Sequence, residues 1–220
     1  MLLSVKEIVI GARSSPLSRA QVEEVLSLLL QHHPKTSFLP KWFETTGDLD
    51  LKTPLTHLEK TDFFTKEIDE AVIEGICRIG IHSAKDLPEV LPESLCVIAC
   101  TQGVDPSDVL VLREGEHLET LPLGAKIGTS SLRREKNIKA LRLDLVCVDI
   151  RGPIDTRLAL LDQGEFDGVI VAKAALIRLK LIRNTFVLPG ESSPLQGRLV
   201  ITSKKADEEM KELFACLNFS

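Results

Sequence analysis

"DLVCVDIRGPIDTRLALLDQGEFDGVIVAKAALIRLKL", residues 144–181, decides the fold. "DLVCVDI" is a short apolar run rich in Val and Ile, "DTRLALLDQG" carries a helical pattern, "FDGVIVA" is again strand-like, and "KAALIRLKL" is again helical. Strands alternating with helices build a mostly parallel α/β sheet. The same alternation extends outward. "AKIGTSS" precedes a helix, "EIVIGA" precedes "SPLSRAQVEEVLSLLLQHH", and "FTKEIDEAVIEGI" precedes "IGIHSA". Leu17, Val22, Val25, Leu26, Leu29 and Leu30 recur at helical spacing, predicting a helix from Pro16 to His32 with proline in its first turn. Between the halves, "LCVIACTQGVDPSDVLVL" reads as strand, loop and strand; near the end, "PGESSPLQGRLVIT" leads through a strand into the helical "KADEEMKELFACL". Two crossings, at about 100 and 195, predict domain 1 as residues 1–100 plus 196–220 and an inserted domain 2 as residues 101–195.

The chain has 220 residues, 44% of them hydrophobic, enough for one large core or two small ones. A formal net charge of -5 argues against a nucleic-acid binder. Any anion site is therefore local, and residues 128–157 supply one: seven Lys/Arg (Arg133, Arg134, Lys136, Lys139, Arg142, Arg151, Arg157) stand against four acids (Glu135, Asp144, Asp149, Asp155). Five cysteines (Cys77, Cys96, Cys100, Cys147, Cys216), an odd number without CxxC spacing, read as reduced core residues of a cytoplasmic protein. No apolar stretch suits a membrane span or signal peptide, and His32, His33, His57 and His117 lack metal-ligand spacing, so neither membrane nor metal is expected.

Ligands of α/β sheets bind beyond the carboxyl ends of the strands. Four polar clusters fall there: "ARSS" (12–15), "HSAKD" (82–86), "GTSSLRR" (128–134) and "RGPIDTR" (151–157). Helix N-terminal amides, hydroxyls and guanidinium groups suit carboxylate or phosphate, and the four clusters are expected to converge on one sheet edge. Ordinary capping is the competing reading, since Ser130 or Ser131 is also a good N-cap and Arg133 and Arg134 could face water. Asp86 is either a surface cap or, among cations at a strand end, a proton-shuttling carboxylate. Alternation turns His82 away from Ser83, giving it a core or supporting role. The nucleotide signals GxGxxG and GxxxxGK[ST] are absent.

"GARSSPLSRAQ", "TTGD", "IHSAKDLP", "GTSSLRR", "RGPIDTRLALLDQGEFDGVIVAKAALIRL" and "LPGESSPLQG" resemble, in order, the motifs of the hydroxymethylbilane synthase (porphobilinogen deaminase) family. The resemblance implies two periplasmic-binding-protein-like α/β domains with mixed, mostly parallel sheets and a third, C-terminal domain, here absent or truncated. It implies a transferase that joins porphobilinogen molecules head to tail, releasing ammonia, to form the linear tetrapyrrole of haem biosynthesis. Each pyrrole brings an acetate and a propionate. By motif position the binders of these carboxylates would be Arg13, Ser15, Ser83, Lys85, Thr129, Ser130, Ser131, Arg133, Arg134, Arg151, Arg157 and Arg178, and Asp86 would be the catalytic acid. The partner would be an acidic pyrrole, acting on a monomer, with no nucleic acid and no membrane. The cofactor implied is a thioether-linked dipyrromethane.

Departures from the family pattern are "EKTD" (59–62) in place of a Gly-Gly-Lys-Gly type loop, Pro153 in place of Asn, and "LQGRL", which keeps only Gln196 and Gly197 of a Gly-Gln-Gly-Ala stretch. The usual cofactor-anchoring cysteine loop is not found in these residues, which predicts no stoichiometric covalent dipyrromethane. A silent or weakly active anion-binding protein on the same two-domain scaffold is the alternative expectation. Replacing Arg133 or Arg134 by leucine is expected to weaken binding of acidic pyrroles by roughly 1.5 to 3 kcal/mol while sparing stability.

Overall fold

A computed structural model describes residues 7–50, 53 and 61–218. Among these, one compact unit holds the residues up to Asp50, from Thr61 to Gly103 and from Arg198 onward; the other holds Thr53 and Val104–Gly197. Within the first, β1 (Ile8–Arg13) leads into α1 (Pro16–His32), followed by β2 (Phe38–Phe43), a single-turn α2 (Thr46–Leu49), α3 (Lys66–Ile73), β3 (Ile79–Ser83) and β4 (Leu95–Cys100). The second contains β5 (Asp108–Leu112), β6 (Lys126–Gly128), α4 (Leu132–Lys139), β7 (Val146–Val148), α5 (Ile154–Asp162), β8 (Gly168–Ala172), α6 (Lys173–Arg178) and β9 (Asn184–Val187). The chain then returns to the first unit as β10 (Leu199–Lys204) and α7 (Glu208–Phe214).

Each unit has one mixed sheet, ordered β2-β1-β3-β10-β4 in the first and β7-β6-β8-β5-β9 in the second. In the first, β1 pairs in parallel with β2 and β3, while β10 runs antiparallel to β3 and β4. The second repeats that plan: β6 pairs in parallel with β7 and β8, and β5 runs antiparallel to β8 and β9. Strands β5 and β8 are apolar at every position after Asp108 and Gly168 because both faces of the sheet are covered. Leu110, Leu112 and Ile170 meet Ile127 and Ile138 on one face, while Val109, Val111, Val169 and Val171 meet Leu158 and Leu161 on the other. In the first unit Val22, Val25 and Leu29 of α1 pack on Ile10, Ile79, Ile81 and Ile201 with Phe214 of α7.

β2, "FLPKWF", is a strand that alternation does not announce; Pro40 fits because β2 is an edge strand, where a missing N–H is harmless. The cysteines depart from the expected core. Cys77 is buried, Cys96, Cys100 and Cys147 are half-buried because they lie on the edge strands β4 and β7, and Cys216 is exposed in a terminal 3-10 turn. Among the described residues no helix is long and apolar enough to cross a membrane.

Candidate functional site

The four polar clusters do not share one sheet edge. Because β1 and β3 are parallel neighbours in one sheet, and β6 and β7 in the other, each sheet gathers two clusters at its carboxyl edge.

In the first unit β1 ends at Arg13 and β3 at Ser83. Arg13 Nε donates to Asp48 Oδ2 at 3.2 Å and its Nη2 to Asp48 Oδ1, while the guanidinium lies 4.5 Å from the Phe64 ring centroid. The Thr45 amide and hydroxyl also donate to Asp48 Oδ2, at 3.0 and 2.8 Å. Burial pushes the Asp48 carboxyl up, but Arg13 and Thr45 outweigh it and hold the group below its ordinary value. Gly47 permits this turn: a Cβ there would meet the Phe64 ring at 2.2 Å.

Ser15 caps α1, its hydroxyl accepting from Ser18 N at 3.3 Å. Ser83 Oγ accepts from Gln21 Nε2 at 2.8 Å, and Gln21 is buried on α1. Gln21 was not among the expected site residues; its signal is a polar side chain on the helix face that also buries Val22 and Val25. Beyond β3, residues Ala84–Asp86 form a 3-10 turn pinned by Ala84 N donating to Arg198 O at 3.0 Å. Lys85 is exposed, and the half-exposed Asp86 carboxyl has no hydrogen-bond or ion-pair partner among the described residues.

Behind this turn His82 is buried, its Nε2 3.2 Å from Thr202 Oγ1 and 3.5 Å from Asp69 Oδ1 of α3. Burial, with a contribution from Arg13, lowers His82 from 6.5 to about 4, so the ring is neutral. Burial raises Asp69 from 3.8 to about 6, against the opposing influence of Thr65. Asp69 carried no sequence signal beyond its place in an amphipathic helix.

In the second unit the expected anion-binding hydroxyls all make local hydrogen bonds, but only Ser130 donates its proton in them. Ser131 caps α4, its Oγ accepting from Arg134 N at 3.5 Å. Thr129 Oγ1 accepts from Ser131 N at 3.3 Å. Ser130 Oγ donates to Ile150 O at 2.6 Å and accepts from Ile150 N at 3.1 Å, tying the ends of β6 and β7 together.

Arg134 does not face water, as the capping alternative expected it to. It is buried, with Nε and Nη2 donating to Asp108 Oδ1 at 3.0 and 2.7 Å and Nη1 to Ile170 O at 3.3 Å, so its fork is committed to the interior. Arg133 stays partly exposed, with Nη1 donating to Asp108 Oδ2 and to Glu191 O, each at 2.6 Å. Gln196 Nε2 donates to Asp108 Oδ1 at 3.0 Å and to Pro106 O at 2.7 Å. Burial raises the Asp108 carboxyl, but Arg134, Arg133 and Gln196 together bring it below its ordinary value. Asp108 has no local sequence signal, because its partners, Arg133 and Arg134 of α4 and Gln196, are distant in sequence and meet it only in the fold.

Arg151 donates to Thr53 O, Arg157 Nε to Gly152 O at 2.8 Å, and Arg178 Nη2 to Gly197 O at 2.7 Å. Pro153 occupies the N-cap of α5 without a side-chain capping bond. Of the "EKTD" departure, Glu59 and Lys60 lie outside the described residues, as does His57.

The profile of the family described as "Porphobilinogen deaminase, dipyromethane cofactor binding domain" matches residues 8–212. A probable porphobilinogen deaminase of Chlamydia pneumoniae is 43% identical over 206 residues, covering 93% of this chain and 87% of its own. Its counterpart in Chlamydia muridarum is 45% identical over 206 residues, covering 93% and 84%. The porphobilinogen deaminase of Chlorobium limicola is 38% identical over 219 residues, covering 98% and 70%. Two solved structures share the fold at low identity. Lipoprotein Tp32 of Treponema pallidum has a TM-score of 0.60 at 14% identity, covering 96% of this chain and 90% of its own. The BenM effector binding domain with benzoate has a TM-score of 0.56 at 15% identity, covering 97% and 91%. With its profile matched over all but the ends of the chain and relatives of this similarity, the protein belongs to the porphobilinogen deaminase family.

Proposed function

We propose that this chain is a hydroxymethylbilane synthase, condensing porphobilinogen into the linear tetrapyrrole of porphyrin biosynthesis. The family match over residues 8–212 carries the reading. Each condensation forms one carbon–carbon bond between pyrroles, breaks the bond to the aminomethyl nitrogen and the α-carbon–hydrogen bond of the accepting ring, and releases ammonia; the proton lost by the accepting ring balances the one given to the leaving amine. Asp86, at the end of β3, delivers a proton to the leaving amine, and its carboxylate then offsets the positive charge on the pyrrole nitrogen. The amine leaves as a neutral molecule in place of an amide-like anion, which is why an acid at this position accelerates the step.

The acetate and propionate groups are held by charge-assisted hydrogen bonds from Arg13 and Lys85 in the first unit and from Arg133, Arg151, Arg157 and Arg178 in the second. Ser15, Ser83, Thr129, Ser130 and Ser131 shape these ends through the caps and cross-strand bonds they make. The same cations fit the carboxylates of a dipyrromethane, which would supply the chain end that accepts substrate. The cysteines fit the covalent link poorly: Cys77 is buried, and the exposed Cys216 lies in a 3-10 turn with no glycine nearby. No thioether is assigned to them. A cytoplasmic location is part of the same reading, supported by five free thiols that suit a reducing compartment, and a monomer is proposed with it.

The test is incubation of the purified protein with porphobilinogen, following ammonia release and tetrapyrrole formation. Turnover is expected; tight binding of porphobilinogen with no ammonia released would turn the reading toward a silent anion-binding protein.

A further inference from the structure

The second unit holds two adjacent arginines and one buried carboxylate between them. Asp108, whose side chain is 2% exposed, opens β5 and receives Arg134 on Oδ1 and Arg133 on Oδ2. Gln196 keeps that carboxyl from rotating, because its amide bridges Asp108 Oδ1 and the carbonyl of Pro106. One negative charge thus faces two positive ones, and the cluster retains a net positive charge. Arg134 is buried and has its Nε/Nη2 edge on Asp108 Oδ1, with a third N–H on Ile170 O. Arg133 differs: Asp108 and Glu191 O pin only its Nη1, while Nε and Nη2 make no hydrogen bond among the described residues. Nε and Nη2 form one edge of a guanidinium, the edge that accepts a carboxylate through two parallel bonds.

The geometry points to Asp108 as a positioning residue: it spends Arg134 as an internal counter-ion and fixes Arg133 so that its Nε/Nη2 edge faces an incoming carboxylate. This deepens the proposed function, resting on the assignment of an acidic pyrrole as substrate. The arginine that meets substrate is thereby Arg133 alone of the pair, and its orientation matters as well as its charge.

The experiment measures porphobilinogen affinity by calorimetry in an Asp86→Asn background, where chemistry does not intervene, across Asp108→Asn, Arg133→Leu and the double variant. Arg133→Leu is expected to weaken binding about tenfold or more, the loss of a charged hydrogen-bonded contact. Asp108→Asn keeps the shape and is expected to weaken it several-fold, roughly the coupling of contacting residues. In the Arg133→Leu background Asp108→Asn should have no further effect. An equal loss in both backgrounds, or no loss in either, overturns the proposal. Should Asp108→Asn fail to fold, Arg133→Lys decides, since position 133 is partly exposed and the charge is retained. Affinity falling close to that of Arg133→Leu supports a positioned fork, and wild-type affinity overturns it. Ammonia release by the otherwise unmodified protein is followed separately. Its absence with binding intact sinks the proposed activity and leaves this inference standing, whereas absence of porphobilinogen binding overturns both.

Discussion

Arg13 in the first unit and Arg134 in the second each grip an aspartate through the guanidinium fork, yet the two pairs differ in their exposure to water. The Arg13 and Asp48 side chains are 26% and 21% exposed; those of Arg134 and Asp108 are 11% and 2% exposed. An ion pair reached by solvent contributes little and can exchange its partner for a ligand. One cut off from solvent is costly to break, because the survivor is left charged in a poorly polarisable interior. Two arginines of similar motif context therefore have different duties: one remains available, the other is a structural rivet.

The sharpest way to break this contrast is to remove each acid. Asp108→Ala should cost about 3 to 5 kcal/mol in urea unfolding, the usual result of stranding a buried charge. Asp48→Ala should cost about 1 kcal/mol or less, as for a solvent-reached pair. Arg134→Leu, expected from sequence to spare stability, should instead be strongly destabilising because it strands the buried Asp108 carboxylate, whereas Arg133→Leu should not. Equal losses at Asp48 and Asp108 would remove the distinction.

A second difference is chemical, since Asp86 at the edge of the first sheet has no cation holding it among the described residues. Asp86→Asn should lower turnover of porphobilinogen at least about 10²-fold, the scale of losing a general acid. Its unfolding curve should superimpose on that of the parent. Near-normal tetrapyrrole formation would return Asp86 to the role of a surface cap.

A third buried acid, Asp69, lies beside a neutral histidine in place of a permanent cation, and pH separates the cases. Asp69 binds its proton more tightly when folded, about 6 against 3.8, so that contribution is present at low pH and is lost as pH rises through 6. His82 binds its proton less tightly when folded, about 4 against 6.5, so its contribution is present above 6.5 and is lost as pH falls toward 4. Between about 4 and 6 the two oppose each other and stability should vary little. Asp69→Asn removes one side, and stability should then fall as pH is lowered through that window, by up to about 1.4 kcal/mol per pH unit. Parallel pH profiles for parent and variant would contradict this account.

The smallest effects concern features the two units share. Ser15→Ala and Ser131→Ala each remove an N-cap and should each cost about 1 kcal/mol. A markedly larger loss of porphobilinogen affinity in one of them would show a hydroxyl that serves the ligand as well as the helix.

The extent of helix α1 was legible, because Pro16 in the first turn and the apolar spacing agree locally, while the Ser15 cap is added by the structure. Sheet membership was less so. β2 hides behind Pro40, and β9, "NTFV", is four residues whose pairing with β5 only the folded sheet supplies. The site divides along the same line. Ser83, Asp86 and Arg13 stand at strand ends that the βα alternation marks, whereas Asp48, Asp69 and Asp108 matter through residues 35, 13 and 26 positions away. Sequence spacing shows which groups approach a sheet edge; it does not show which of them already have a counter-ion.

Val104 N donates to Gly197 O at 3.3 Å, so the segment between these residues begins and ends at one point. Gly197 is suited to that point, with φ of +85° and no room for a Cβ, which would lie 2.6 Å from Asp105 O. For protein engineering this is a graft junction. Residues 104–197 can be exchanged as a cassette for the matching stretch of a relative, with the glycine kept and the two splice sites held in register by one backbone bond.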